Sequence, residues 1–126
     1  MVNIKKCTNF FSLEEVNIYT KKHPIKVRIA DGFFSRLRGL LWSKPINKTE
    51  GLLLRPCNSI HTAGMAYPID VVFLSATFQV LRVVPNCNPW RIANEKEAQQ
   101  TLELLAGQAA VFDLKPGMQL TMEQIK

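Results

Sequence analysis

Apolar and polar residues alternate in two neighbouring stretches near the start of the chain. Residues 16–20 and 25–29 both place mainly β-branched side chains at every second position, and the polar segment 21–24 lies between them. Alternation with a period of two is typical of a strand with one buried face. The pattern therefore predicts a β-hairpin with one face in contact with solvent.

Two apolar runs further along the chain predict strands that are buried on both faces. Gly51–Leu54 is apolar throughout and ends before Pro56. Ile69–Leu74 is also apolar except for Asp70, and such short continuous runs are typical of central strands. A buried carboxylate needs a partner or a shifted pKa, so Asp70 is an unexplained residue in this pattern.

Prolines mark the expected limits of the strands in this part of the chain. Residues 79–84 predict a strand that returns beside 69–74, and Pro85 begins an irregular loop that continues to Trp90. Because proline has no N–H to donate to a ladder, Pro68 and Pro85 are expected to lie outside the strands that they flank.

Helical spacing of apolar residues is weaker and occurs in short pieces. Residues 33–42 predict an amphipathic helix. The pattern of 94–106 slightly favours helix over a competing strand at 101–105, and 108–114 predicts a further short helix. The chain is expected to end in a strand, because 118–122 alternates again.

These elements together predict an α+β fold. Its mainly antiparallel β sheet would curl into a small barrel, with two or three short helices. The 126 residues are expected to form a single domain, 1–126, and a monomer. No apolar stretch approaches the ~20 residues that span a bilayer, and no apolar segment follows Lys5 and Lys6, so we predict a cytoplasmic protein.

The charge of +6 is distributed unevenly. Residues 21–55 contain nine basic and two acidic residues, a net charge of +7. Such a segment would attract a small anionic ligand, an acidic protein or a polyanion, or simply form a solvated face. No nucleic-acid motif with interleaved aromatic residues accompanies it, so specific recognition of nucleic acid is not predicted.

The segment between Pro56 and Pro68 is dense in reactive side chains. Cys57 and His61 are separated by three residues, a spacing that brings both onto one helical face but leaves them ~13 Å apart in a strand. The flanking prolines make a long helix improbable, so a metal site would need ligands from elsewhere, such as His23 or Asp70. Only three cysteines occur, without a Cys-x-x-Cys pair, so we predict neither a metal site nor a cofactor.

Two interpretations of this segment remain open. As an enzyme, Cys57 would be the nucleophile, His61 its base and Asp70 the orienting carboxylate. As structural groups, Cys57 would be a small buried apolar residue, His61 would make a structural hydrogen bond, and Asp70 would pin a loop. The partners expected for Asp70 in that role are Arg55, Arg82, Arg91 or the backbone amides of 59–62.

The combination of motifs resembles a bacterial and archaeal family called domain of unknown function 192. The resemblance extends from about Val27 to Leu120, and the form Cys-x-Ser-Ile-His-Thr is similar to one subgroup of the family. The residues that carry it are Arg36–Leu41, Gly51–Leu54, Pro56–Thr62, Met65, Pro68–Leu74, Pro89–Arg91, Leu102–Leu104, Ala106, Gly107, Pro116 and Gly117.

The resemblance implies a compact β-rich fold and favours the strand at Thr101–Leu105. It implies no activity. Many relatives carry an export signal, which is not evident in this chain, and members of the subgroup lie near genes of pilus or secretion systems.

We therefore expect a small non-enzymatic binding or accessory domain, whose ligand would be a small anion or an acidic protein. A hydrolase or thiol-dependent enzyme and a polyanion-binding protein are the alternatives. Aromatic side chains at Trp42, Tyr67 and Trp90 would line a groove or seal the edge of the core. The residues expected to bind a ligand are Arg55, Ser59, His61, Thr62, Met65, Tyr67, Asp70, Trp90 and Arg91.

Overall fold

The computed structural model describes residues 14–20, 24–31 and 48–124. Within them the chain forms nine strands: β1 (Glu15–Tyr19), β2 (Pro24–Asp31), β3 (Glu50–Arg55), β4 (Ser59–His61), β5 (Ile69–Leu74), β6 (Val80–Cys87), β7 (Ile92–Asn94), β8 (Gln100–Leu105) and β9 (Thr121–Gln124). One short helix, α1 (Gln108–Val111), follows β8. The predicted helix at 33–42, together with Cys7, His23 and Trp42, lies outside the described residues.

Seven strands form one sheet in the order β6-β5-β8-β3-β2-β1-β9, and β4 and β7 form a separate two-stranded ribbon. The predicted hairpin is confirmed, since β1 and β2 pair antiparallel with Ile18 opposite Ile25. Strands β2 and β3 are parallel, and the other neighbours in the sheet are antiparallel. The predicted mainly antiparallel β fold is therefore confirmed.

Apolar residues cover both faces of the sheet. On the helix face, the side that carries α1, Val72, Leu74, Leu102 and Leu104 pack with Phe112. On the ribbon face, the side that carries β4 and β7, Ile69, Val71 and Phe73 pack with Ile60 and Ala93. Both sides of β5 are thus buried, which explains why its sequence is almost continuously apolar. The following members of these two clusters complete the described core: Val16, Ile18, Ile25, Val27, Ile29, Leu53, Val80, Ala109, Leu114 and Leu120 on the helix face, and Ala30, Leu52, Leu54, Met65, Cys87 and Ala98 on the ribbon face.

The sheet does not close into a barrel, so that part of the prediction is wrong. The strands at its two edges are β6 and β9. Residues 117–120 approach 78–80 through a few backbone hydrogen bonds and one isolated bridge between Gln79 and Gln119, which is too short a contact to form a ladder. Closure requires every strand to have a laddered neighbour on each side. The expectation of two or three helices also fails in the described residues, where only the four residues of α1 are helical.

Pro85 lies inside β6, although the sequence predicted that the strand would stop before it. Since β6 is an edge strand, one side of it has no ladder to which an N–H must donate. The pairing with β5 is irregular here, because the register shifts between Ile69 and Val71, opposite the Pro85–Asn86 segment. Asn86 has a positive φ of 50°. The strand therefore accommodates proline within a bulge instead of ending at it.

Candidate functional site

The segment between Pro56 and Pro68 folds as one half of the ribbon. In β4 the side chain of Ile60 is buried in the ribbon-face core, while Ser59 and His61 are exposed. In β7 Ala93 is buried opposite Ile60, and the exposed pairs are Ser59 with Asn94 and His61 with Ile92. Alternation along two short strands therefore gives the ribbon an outer surface of polar and apolar side chains.

Thr62 fixes the loop that leads into β7. Its side chain is fully buried, and its hydroxyl donates to the carbonyl oxygen of Asn88 at 2.6 Å and accepts from the amide of Arg91 at 2.8 Å. The backbone of Thr62 also accepts from the amides of Met65 and Trp90, and its own amide donates to Arg91. One residue thus joins both loops at the end of the ribbon.

Two large apolar side chains project into solvent from this fixed loop and from the start of β7. Trp90 is 71% exposed and Ile92 is 74% exposed. The Arg91 guanidinium lies between them in sequence and donates to the carbonyl oxygen of Trp90. Trp90 has a φ of 64°, a conformation that costs a non-glycine residue roughly 1–3 kcal/mol and persists only where the surroundings impose it.

Asp70 does not join Cys57 and His61. In β5 it alternates to the side of Val72 and Leu74, which is the helix face, whereas the ribbon covers the other face. Its side chain is 1% exposed, and its two carboxylate oxygens accept from the amides of Asn86 and Ala109, both at 2.8 Å. The loop-pinning interpretation thus describes these contacts, but its partners are neither arginines nor the amides of 59–62.

Cys57 makes hydrogen bonds and packing contacts with the structure around it. Its thiol donates to the carbonyl oxygen of Ser59 at 3.3 Å, and its partly buried side chain packs on the ribbon-face core. Its amide donates to Gln99, and its carbonyl oxygen accepts from the hydroxyl of Thr101 at 3.0 Å. With Asp70 on the opposite face of the sheet, the described residues do not assemble the Cys57, His61 and Asp70 arrangement of the enzymatic interpretation.

The remaining residues predicted to bind a ligand are divided between the helix face and the ribbon face of the sheet. Met65 is buried in the ribbon-face core, and Tyr67 is partly buried against it. Arg91 is exposed beside Trp90. Arg55 follows Leu54 at the end of β3, so strand alternation places it on the side of Leu53, which belongs to the helix face. The structure therefore brings Ser59, His61, Thr62, Trp90 and Arg91 together, and places Arg55 and Asp70 elsewhere.

Glu103 is a buried acid that the sequence reasoning passed over. It is 0% exposed in β8, and alternation with Leu102 and Leu104 places it on the ribbon face. Its negative charge acts on Tyr67 and on Cys87, and raises the pKa of both groups. The sequence contained the signal, because Glu103 interrupts the apolar run 102–105 in the same way that Asp70 interrupts 69–74.

Two further side chains on this face hold their protons more firmly than usual. Burial is the main cause of the raised pKa of the Tyr67 hydroxyl, with Glu103 second. Burial also raises the pKa of the Cys87 thiol most strongly, against the opposing effects of the Arg91 guanidinium and of a hydrogen bond with Thr62. Both groups are therefore neutral at physiological pH.

We expect the free energy of unfolding to fall as the pH rises from 8 to 10. The ordinary pKa values are 9.0 for the thiol and 10.0 for the phenol, and the folded protein raises both, so the unfolded chain releases these protons first. The two protonated groups contribute their full stabilisation of the folded state below the unfolded pKa values. This contribution is lost as the pH rises above those values. Urea unfolding at a series of pH values measures the slope. The double variant Cys87→Ala/Tyr67→Phe should have a shallower slope than the wild type, and an identical slope would contradict the assignment.

Neither a cluster of candidate metal ligands nor a helix able to span a membrane occurs among the described residues. Within residues 14–20, 24–31 and 48–124, no three His, Cys, Asp or Glu side chains lie where they could share a metal ion. No helix in that part of the chain is long and apolar enough to cross a membrane.

Known proteins share both the sequence pattern and the fold. The UPF0127 protein PH1112 of Pyrococcus horikoshii is 41% identical over 70 residues, which are 53% of this chain and 60% of that protein. The matched segments span 45% to 60% of the lengths of three such archaeal relatives, including proteins of Thermococcus sibiricus and Thermococcus kodakarensis.

Two crystal structures are similar in fold. A protein of unknown function from Novosphingobium aromaticivorans DSM 12444 superposes with a TM-score of 0.70 at 18% identity, covering 85% of this chain and 83% of that one. A protein described as a candidate transcription regulator from Sinorhizobium meliloti 1021 superposes with a TM-score of 0.73 at 22% identity, covering 86% and 92%. At such identities the similarity shows the fold alone.

The model of the DUF192 family, described as "Uncharacterized ACR", matches residues 15–122. This span includes every described strand except the last two residues of β9. The resemblance inferred from the sequence motifs is therefore confirmed, and the chain belongs to the DUF192 family, for which no activity is established.

Proposed function

We propose that the protein is a non-enzymatic binding module that recognises an acidic segment of a partner protein through the outer surface of the ribbon. The observation that carries this proposal is the pair of exposed apolar side chains, Trp90 on a loop fixed by the buried Thr62 and Ile92 at the start of β7. Tryptophan and arginine are the residues that most often dominate binding energy at protein interfaces, and here they are adjacent.

Rigidity of the loop favours binding. A surface that is already fixed loses little conformational entropy when a partner docks. Thr62 connects the loop to the core through its hydroxyl and its backbone, and the guanidinium of Arg82 donates to the carbonyl oxygen of Asn94 at 2.6 Å at the far end of β7. Both ends of the exposed strand are therefore held in place.

The chemistry of the outer surface suits an acidic partner. Its two cross-strand pairs, Ser59 with Asn94 and His61 with Ile92, supply polar and apolar groups and no carboxylate. The exposed Arg91 adds a positive charge at the edge of this surface, where its guanidinium donates to the carbonyl oxygen of Trp90. A peptide with acidic residues around an apolar anchor would pair its charges with Arg91 and place the anchor against Trp90 and Ile92.

Selection from a displayed library of random short peptides tests the proposal. The library is selected on the wild-type protein after depletion on a Trp90→Asn/Ile92→Ser variant. Asparagine tolerates a positive φ, so this variant removes the ring without adding backbone strain. We expect enriched peptides to be acidic with one apolar anchor, and Trp90→Asn to weaken their binding at least tenfold, which corresponds to about 1.4 kcal/mol. Their affinity should also fall as salt rises.

Two matched variants show whether the ribbon surface, and no other part of the protein, binds the peptides. Val111→Ser alters an exposed apolar residue on α1, far from the ribbon, and should leave the peptide affinity unchanged. Cys57→Ala should also preserve the affinity, because recognition does not use the thiol. Enrichment of basic or uncharged peptides, or equal affinity for wild type and Trp90→Asn, would refute the proposal.

A further inference from the structure

A cavity lies at the end of the sheet where β2 and β3 begin, away from the ribbon. Its volume is about 580 Å³, within the range of small-molecule sites. The hydrogen bond from the amide of Lys26 to the carbonyl oxygen of Thr49 joins two of its walls. The described residues that line it are Asn17, Pro24, Lys26, Lys48, Thr49, Gln108, Val111 and Phe112.

Gln108 is the most informative residue of this cavity. Its side chain is only 8% exposed, yet the described residues give its amide group no hydrogen-bond partner. The amide atoms are not among the fully buried unpaired atoms of the described residues, so they are open to the cavity. Because Gln108 lines the cavity, a ligand there would supply the missing partner.

The charge on the cavity wall is positive. Lys26 and Lys48 both line it, and no aspartate or glutamate is among the described lining residues. Lys26 also pairs with Glu15 at 3.5 Å, but both side chains are about half exposed, so this ion pair is weak and can be exchanged for a ligand. Lys48 forms no ion pair with a described residue.

The rest of the wall is apolar. The rings of Phe112 and Pro24 and the side chain of Val111 form it, and Val111 is 52% exposed at the opening. Asn17 lies directly opposite Lys26 in the β1–β2 ladder, so their polar groups project from the same face of the hairpin. The cavity thus combines an apolar body with a cationic, hydrogen-bonding rim.

We propose that this cavity binds a small carboxylate with an apolar body. The carboxylate would bind at the cationic rim to which Lys26 and Lys48 contribute, and the amide of Gln108 would donate a hydrogen bond to it. The apolar part would pack against Phe112 and Val111. This site is separate from the ribbon surface, and neither proposal depends on the other.

Titration of the isotope-labelled protein with 4-phenylbutyrate tests the site, with the amide chemical shifts as the readout. The matched neutral probe is 4-phenylbutyramide. We expect saturable shifts at 48–49 and 108–112, and at least tenfold weaker binding of the neutral amide. Lys48→Gln should lower the affinity for 4-phenylbutyrate at least fivefold. Gln108→Leu should lower it by at least the same factor. Lys96→Gln, a change of an exposed lysine in another part of the chain, should leave the affinity unchanged.

Several outcomes would overturn the proposal. Equal binding of the carboxylate and the amide would show that the lysines do not select charge. Shifts confined to 90–94 would place the probe on the ribbon, and an absence of shifts at millimolar probe would show that the cavity does not bind this class of molecule. Because Lys48 is exposed, Lys48→Gln keeps the test valid even if Gln108→Leu fails to fold.

Discussion

Replacement of Asp70 by alanine is expected to lower the free energy of unfolding by about 3–5 kcal/mol, since a hydrogen bond to a charged group contributes about 1.5–3 kcal/mol. The carboxylate is 1% exposed and holds two elements distant in sequence, the β6 bulge through Asn86 and the start of α1 through Ala109. The change leaves both amides without their acceptor. Urea unfolding should show a lower midpoint with an unchanged slope.

Asp70→Asn provides a graded comparison. Its side-chain oxygen can accept from one of the two amides, but its NH₂ group cannot accept from the other, so we expect about half of the alanine effect. Asp113→Asn is the matched control: Asp113 has a positive φ that asparagine tolerates, and its ion pair with Lys115 is largely exposed. It should change stability by less than about 0.5 kcal/mol. Equal effects of the Asp70 and Asp113 changes would contradict the pinning role.

Replacement of Thr62 by valine is expected to lower the free energy of unfolding by about 2 kcal/mol, since valine keeps the volume but leaves buried polar partners unsatisfied. The carbonyl oxygen of Asn88 loses its donor, and the amide of Arg91 loses the hydroxyl that accepts from it. The loop that carries Trp90 would then open more often. Hydrogen exchange should show faster exchange at the amide of Arg91.

Thr101→Val is the matched control for this change. Thr101 is also fully buried, and its hydroxyl donates to the carbonyl oxygen of Cys57, outside the Trp90 loop. It should lower stability by about 1 kcal/mol and leave exchange at Arg91 slower than in Thr62→Val. If both valine variants accelerate exchange at Arg91 equally after correction for global stability, Thr62 does not hold the loop specifically.

The elements with a regular pattern were predicted well. The period of two in 16–20 and 25–29 gave the β1–β2 hairpin, and the continuous apolar runs gave β3 and β5, because each pattern reports how many faces of a strand are buried. The strand β8 was different. Its pattern alone slightly favoured helix, and the family resemblance corrected this to the strand that the structure contains.

The candidate site was predicted only in part, because a site depends on which strands become neighbours. The sequence identified Thr62 and Trp90 as residues of interest, but it grouped Asp70 with them although the sheet separates it from the ribbon. It also passed over Glu103 and placed Pro85 outside β6. The last error arose because only the strand order shows that β6 is an edge, where proline is tolerated.

By itself the sequence determined the local conformation of most strands and the family, since burial of alternate or consecutive positions leaves a pattern that neighbouring residues reveal. The tertiary structure decided the face on which each polar group lies and the partner it meets. Those outcomes depend on long-range register: the amides that bind Asp70 are 16 and 39 residues away from it along the chain. Contacts across such separations form only when the sheet brings distant segments together.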